Sequence, residues 1–226
     1  MKVLDKGEIE LLDSMGKDET IARAAWVSYG KQGDERGDKE VKRLVNYLMK
    51  HQHGTPFEHV VFQFYIKAPI FIAREWFRHR IGSFNEISSR YVTFEPEFYM
   101  PEKFRVKEET NKQGSKIPED KENFNLWNSV ANADLTEGYT LSYNKYLALK
   151  EQGVANELAR LLLPLGTYTQ WWWTVNLRSL FNFMALRSYP TAQWEIQEYS
   201  RALESIVKEK VPYAYEAWEA NGRNAP

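Results

Sequence analysis

From Val60 to Lys67 apolar and polar residues alternate with a period of two: Phe62, Phe64 and Ile66 are interleaved with Gln63, Tyr65 and Lys67. That is the pattern of a half-buried strand. Pro69 suits the first turn of a helix, and Ile70, Phe71, Ala73, Trp76 and Phe77 give that helix an apolar face through Arg78, with Gly82 placed to end it. A second strand is expected from Tyr168 to Val175, where aromatic and β-branched residues dominate; Asn176 then caps a helix from Leu177 to Arg187.

The remaining elements follow from the same periodicities. Met1 to Met15 reads as strand or loop. Thr20 is placed to cap a short helix holding Ile21, Ala24, Ala25 and Val27, which ends before a loop from Ser28 to Gly37. Asp38 caps a firmer helix, since Val41, Leu44, Val45 and Leu48 fall at i, i+3, i+4 and i+7, and it stops near His51. Phe94 to Met100 alternates aromatic with polar residues and predicts a strand closed by Pro101, whereas Lys103 to Asn123 is nearly free of apolar anchors and reads as a mobile loop or insertion. Phe124 to Glu151 predicts a long helix burying Trp127, Val130, Leu135, Tyr139, Tyr143, Tyr146 and Leu147, ended by Gly153; a short helix from Asn156 to Leu163 is stopped by Pro164. Ala192 to Val211 is amphipathic, and an aromatic helical tail precedes a frayed end from Asn221 to Pro226. Together these predict one α+β domain over residues 1–226, with a central, mostly antiparallel sheet flanked by helices.

Composition narrows the class. At 226 residues, with 15% aromatic and 27% charged residues, the chain has ample material for a core and is no disordered segment. No apolar run approaches the roughly 18 residues that cross a membrane, and MKVLDKGEIE has no secretory apolar region, so a cytoplasmic protein without membrane association is expected. A net charge of -1 argues against bulk binding to a nucleic-acid polymer. The absence of Cys removes disulfides, thiolate-bound metals and every thiol nucleophile.

Cations are instead concentrated locally, in RHRIGSFNEISSRY from Arg78 to Tyr91. Arg78, His79, Arg80 and Arg90 stand there with Ser83, Asn85, Ser88, Ser89 and the single acid Glu86, a dense supply of donors for phosphates and a polar heterocycle. Complementing a helix dipole accounts for one or two of these cations and leaves the rest unexplained. In HQHGTPFEH, His51 to His59, three His and one Glu invite a metal reading; the spacing matches no standard zinc pattern, and Gly54 with Pro56 makes it a turn.

The string from Arg78 resembles the signature of the flavin-dependent thymidylate synthases, whose seven fixed positions are filled here by Arg78, His79, Arg80, Ser83, Asn85, Ser88 and Arg90. The resemblance extends from about Glu19 to Glu216, through VSYG, HGTPFEH, NELARLLLP, YTQWWWTVN, RSLFNF and AQWEIQ in the family's order. It implies reductive methylation of dUMP to dTMP, with methylenetetrahydrofolate as carbon donor and FAD, recharged by NADPH, as hydride source. It also implies a homotetramer whose subunits share active sites.

Carried over by position, the resemblance makes Arg187 the catalytic residue, favouring ionisation of the uracil imide. Glu75, Arg78, Glu86, Ser88, Ser89, Arg90, Arg160 and Arg187 match contacts to dUMP, with Arg90 as phosphate clamp. His53, Thr55, Glu58, Arg78, His79, Arg80, Ile81, Glu86, Asn176, Leu177, Arg178 and Asn182 match the FAD site, and no metal is implied. Ser88 reads as a binding residue, since no His or Lys stands at a spacing that obviously deprotonates it. Two positions depart from the family's pattern: Glu75 stands where Gln is usual, and Ser89 where Gly is frequent. A binding module without turnover and a His-rich metal hydrolase are the rival classes; neither explains the ordered match along the chain.

Overall fold

The computed structural model describes residues 1–30, 37–109, 114–119 and 121–226. Its strands are β1 (Lys2–Val3), β2 (Gly7–Met15), β3 (Val61–Pro69), β4 (Ser83–Glu86), β5 (Val106–Lys107), β6 (Ser115–Lys116) and β7 (Tyr168–Asn176). Five of them form one antiparallel sheet in the order β1, β2, β3, β7, β4, while β5 and β6 pair separately. The helices are α1 (Asp18–Val27), α2 (Asp38–Lys50), α3 (Ile70–Trp76), α4 (Lys121–Glu151), α5 (Asn156–Ala159), α6 (Leu177–Arg187), α7 (Trp194–Lys210) and α8 (Pro212–Ala220), with 3-10 turns at Thr55–His59 and Arg160–Leu162. No helix among the described residues is long and apolar enough to cross a membrane.

The expected α+β architecture is present, and β3 with β7 forms its centre. They pair over their full lengths, from Val61 opposite Asn176 to Pro69 opposite Tyr168. One face carries Phe62, Phe64, Ile66, Trp171, Trp173 and Val175, all buried. Trp76 of α3 stands on this face, with ring centroids of Phe183, Trp173, Trp171 and Tyr199 at 4.5, 5.2, 5.3 and 5.8 Å. Aromatic rings bury large apolar areas and prefer such edge-on and tilted approaches. The other face is partly open: Tyr65 Oη donates to Gln170 Oε1 at 2.6 Å, and Trp172 is 51% exposed.

Several expectations are corrected. The helix after Pro69 ends at Trp76 instead of Arg78, because the chain turns, with His79 N donating to Trp76 O, and returns to the sheet. Gly82 does not terminate that helix; it lets the backbone pass close to β7, where a Cβ would lie 2.9 Å from Trp173 Nε1 and 3.0 Å from Thr174 O. Ser83–Glu86 is consequently an edge strand. The open reading of Met1 to Met15 resolves as the hairpin of β1 and β2.

Thr20 is not the cap of α1, which starts at Asp18; its Oγ1 accepts from Lys17 N in the first turn. Asp38 is the first residue of α2, and Gly37 is its cap. The loop expected before it lies partly outside the described residues. Phe94 to Met100 is not a strand, because Pro96 lacks a ladder donor; only Phe98 bridges Thr167. The aromatics of that segment pack on α4 instead, Phe98 against Tyr139 at 4.7 Å, and Tyr143 Oη donates to Phe94 O.

Within 103–123 the described residues contain the β5–β6 pair, and α4 begins at Lys121, three residues before the expected start. Of the set expected to be buried on α4 only Tyr146 is fully so, while Trp127 and Val130 are exposed. The end of the chain is not frayed at Pro226, which is buried and accepts from Arg178 Nε at 2.6 Å.

Trp76→Ala should lower unfolding free energy by about 3–5 kcal/mol, since it leaves a cavity among four rings. Denaturant titration, comparing midpoints at constant slope, checks this; a loss below about 1 kcal/mol would mean that the cluster is not the keystone of the core.

Candidate active site

Antiparallel pairing makes α3 and α6 leave the sheet from opposite ends of adjacent strands, α3 after Pro69 and α6 after Asn176. Asn176 caps α6, its Oδ1 accepting from Ser179 N at 2.9 Å, as the sequence predicts. The core takes Leu177, Leu180, Phe181, Phe183 and Met184. The opposite stripe, Arg178, Asn182 and Leu186 at i, i+4 and i+8, faces a cavity of about 900 Å³. Arg78, His79, Arg80 and Ile81 line another wall, and Glu58, Arg187, Ala225 and Pro226 complete it.

Nine of the expected site residues thus share one cavity: Glu58, Arg78, His79, Arg80, Ile81, Asn176, Arg178, Asn182 and Arg187. Arg178 bridges two walls, with Nη1 on Glu58 Oε1 and Nε on Pro226 O, both at 2.6 Å. Arg187 is anchored on the α3 side. Its Nε donates to His79 Nε2 at 2.9 Å, Nη1 to Glu75 Oε2 at 3.0 Å and Nη2 to Glu75 O at 2.9 Å. Among the described residues Arg78 and Arg80 have no carboxylate partner, so the wall carries net positive charge suited to an anionic ligand.

Burial dominates the titration of this cluster. Desolvation, helped by the Arg187 charge, lowers the His79 imidazole to about 4. His79 is therefore neutral near pH 7, and since Nε2 accepts from Arg187, its proton is on Nδ1. Burial raises the Glu75 carboxyl against the pull of Arg187, and lowers Arg187 against the pull of Glu75. The pair persists in a poorly solvated place, where a fixed guanidinium acts strongly on a neighbouring charge.

The other expected residues lie elsewhere. β4 carries the chain from Ser83, opposite Thr174, to Glu86, opposite Trp171, about 10 Å along the sheet. Glu86 Oε1 accepts from Thr169 Oγ1 at 2.6 Å, and burial of that end raises its carboxyl, with the Thr169 bond opposing. Ser88 Oγ accepts from Arg90 N at 3.3 Å, and Ser89 is buried. Arg90 pairs with Glu157 at 3.3 Å and receives Asn156 Nδ2 on its carbonyl, which draws it to the α5 corner that carries Arg160. None of Ser88, Ser89, Arg90 or Arg160 lines the large cavity.

His53 packs on Tyr47, as does His51, and Thr55 opens the 3-10 turn. The Leu177 side chain is in the core, and its N donates to Val60 O. Sequence reasoning missed Ser179, Leu186, Ala225 and Pro226 as lining residues. The helical spacing from Arg178 contains Leu186, whereas no local pattern announces the docked end of the chain.

Known proteins resemble this chain closely. The family model of the thymidylate synthase complementing protein matches residues 10–213. A flavin-dependent thymidylate synthase of Thermosipho africanus is 50% identical over 218 residues, covering 96% of this chain and 92% of that protein. One from Thermus thermophilus is 49% identical over 220 residues, covering 96% and 77%. The crystal structure of PolB, a UMP/dUMP methylase from Streptomyces cacaoi bound with 5-Br dUMP, aligns over the whole of both chains with a TM-score of 0.87 and 30% identity.

A depressed His79 pKa contributes stability that is complete above the unfolded value near 6.5 and is lost as pH falls through about 4. In a 15N NMR titration the His79 ring should stay neutral to near pH 4, and Arg187→Ala should move its midpoint upward. A midpoint at 6.5 or above in the unaltered protein would break the assigned tautomer and the bond to Arg187.

Proposed function

The chain belongs to the flavin-dependent thymidylate synthase family and is a methyltransferase, and on that premise we propose that it converts dUMP to dTMP with methylenetetrahydrofolate as carbon donor, FAD as cofactor and NADPH as reductant. The observation that carries the reading is the convergence of Arg78, His79, Arg80, Asn176, Arg178, Asn182 and Arg187 on one cavity of about 900 Å³. Its size and its mixture of cations with neutral amide donors fit a dinucleotide cofactor. Glu58, Arg78, His79, Arg80, Ile81, Asn176, Arg178 and Asn182 would hold the FAD, with His53, Thr55, Leu177 and Glu86 at its margins. Bound flavin supplies the hydride that reduces the transferred carbon to a methyl group.

The chain's own residues must then activate the pyrimidine. With no Cys, addition of a thiolate to the ring is unavailable. Arg187, half-buried and already fixed, stabilises negative charge on the uracil imide and so makes the ring carbon nucleophilic. Arg90 and Arg160 clamp the phosphate, with Ser88 and Ser89 as further contacts and Glu86 orienting the nucleotide. Ser88 Oγ serves as an acceptor in its own turn, which supports a binding role.

The split between the Arg187 cavity and the Arg90 corner supports a site shared between copies. Tyr91, Leu158, Leu161 and Leu165 are exposed around the Arg90 corner, and Ile81, Leu186 and Tyr189 are exposed around the cavity. Such apolar rims suit burial against another subunit. The proposed assembly is a homotetramer. The proposed location is the cytoplasm.

Anaerobic spectroscopy tests the reaction: the flavin band should bleach with NADPH and return on addition of dUMP with methylenetetrahydrofolate while dTMP appears. Protein that binds no flavin, or a flavin whose reoxidation yields no dTMP, would overturn it. Arg90→Ala and Arg187→Ala should each reduce turnover at least about 100-fold. Refolded together, they should regain about a quarter of wild-type activity if each site draws these residues from two subunits. No recovery would place both residues in one subunit's site.

A further inference from the structure

Arg187 has five N–H groups, and three are committed within the chain: Nε to His79, and one each from Nη1 and Nη2 to the carboxylate and the carbonyl of Glu75. Two remain for a ligand. Arg187 lines the cavity and Glu75 does not, so the acid stands behind the guanidinium. An ionised carboxylate is acceptor-only and offers nothing to the carbonyl oxygens of a pyrimidine, whereas it complements a guanidinium well. Its position in the fold is equally suggestive. Glu75 lies one residue before Trp76, whose ring packs among four others, so its backbone carbonyl is tied to the core through the next residue.

We propose that Glu75 is a positioning residue, which aims the free N–H groups of Arg187 at the pyrimidine and holds them there through its carboxylate and its carbonyl together. This rests on the reading of Arg187 as the group that faces the base. The carbonyl bond survives any substitution that preserves the backbone. The carboxylate bond depends on the side chain and on its charge.

The charged groups that act on Glu75 are Arg187 from α6 and Glu195 from α7, which is itself paired with Arg105, while Arg78 and His79 of its own segment act on Arg187. Burial and Glu195 both favour protonation of Glu75, and Arg187 opposes it. Acidification therefore removes the charged half of the clamp, while the carbonyl and His79 bonds remain. Gln at this position keeps an acceptor for Nη1 and has no charge to lose.

The test is steady-state turnover of the flavin-loaded protein from pH 9 down to about 4.5, the ordinary carboxylate value from which Glu75 is raised, with dUMP binding measured separately, for Glu75→Ala, Glu75→Gln and Arg187→Lys. Glu75→Ala should lower kcat by about 10–100-fold, the scale of a misplaced catalytic group, while the Kd for dUMP changes by less than about 3-fold. Glu75→Gln should fall less than Glu75→Ala and lose the acid limb of the wild-type profile. A Glu75→Ala protein with wild-type kcat, or one that loses dUMP affinity at unchanged kcat, would overturn the proposal, the second outcome by making Glu75 a direct contact. If Glu75→Ala does not fold, the Glu75→Gln profile decides, and a retained acid limb counts against the proposal. Arg187→Lys separates the two readings: full turnover there removes the role of Arg187 itself, whereas impaired turnover beside an unaffected Glu75→Ala removes only the role of Glu75.

Discussion

The unbroken register between β3 and β7 is the constraint from which the rest follows. Over nine paired residues it puts Phe64 opposite Trp173 and Ile66 opposite Trp171, so that the bulky rings share the face on which Trp76 rests. A slip by one residue would turn Trp172 inward and expose both neighbours. The same register fixes where α3 and α6 begin, and Trp76 against Phe183 joins the two helices. Their C-terminal ends then meet at Glu75, His79 and Arg187. The reactive corner is a by-product of how two strands count past one another.

The strands and helices nearest the core were the most legible parts of the sequence, because their side chains answer to one partner surface. Phe62, Phe64 and Ile66 could alternate only for a sheet, and Asn176 before Leu177 could be read as a cap from local chemistry. Where tertiary demands compete, the reading failed. The helix after Pro69 was expected to run through Arg78, yet β4 must reach β7, and Gly82 serves that crossing. Phe94 to Met100 alternates because Phe98 and Tyr99 meet α4 and α3, not because it joins a ladder. On α4 Trp127 and Val130 were expected to be covered, and in the single chain they are not. Amphipathic spacing states that a face wants cover without saying which molecule provides it.

For the site, the family resemblance supplied a set of residues and the fold divides it. Arg78 to Ile81 and Asn176 to Arg187 converge, whereas Ser88 to Arg90 follow β4 away to the α5 corner. Spacing along the chain contains no record of that divergence, which comes from the direction of an edge strand. The electrostatic pattern is also divided. Arg178 and Arg187 are each tied to an acid, while Arg78 and Arg80 have none among the described residues. Paired arginines keep a fixed orientation and unpaired ones keep their charge available, and a cavity for a large anion uses both.

Gly54 gives the docked end of the chain a wider meaning. A Cβ there would come within 2.5 Å of Arg178 Nε and 2.6 Å of Pro226 O, so no side chain fits while those atoms hold their places. Two stretches more than 170 residues apart are thus bound into a single heritable unit. A lineage that acquired a larger residue at position 54 would have to move both the Arg178 side chain and the Pro226 carbonyl in the same evolutionary step.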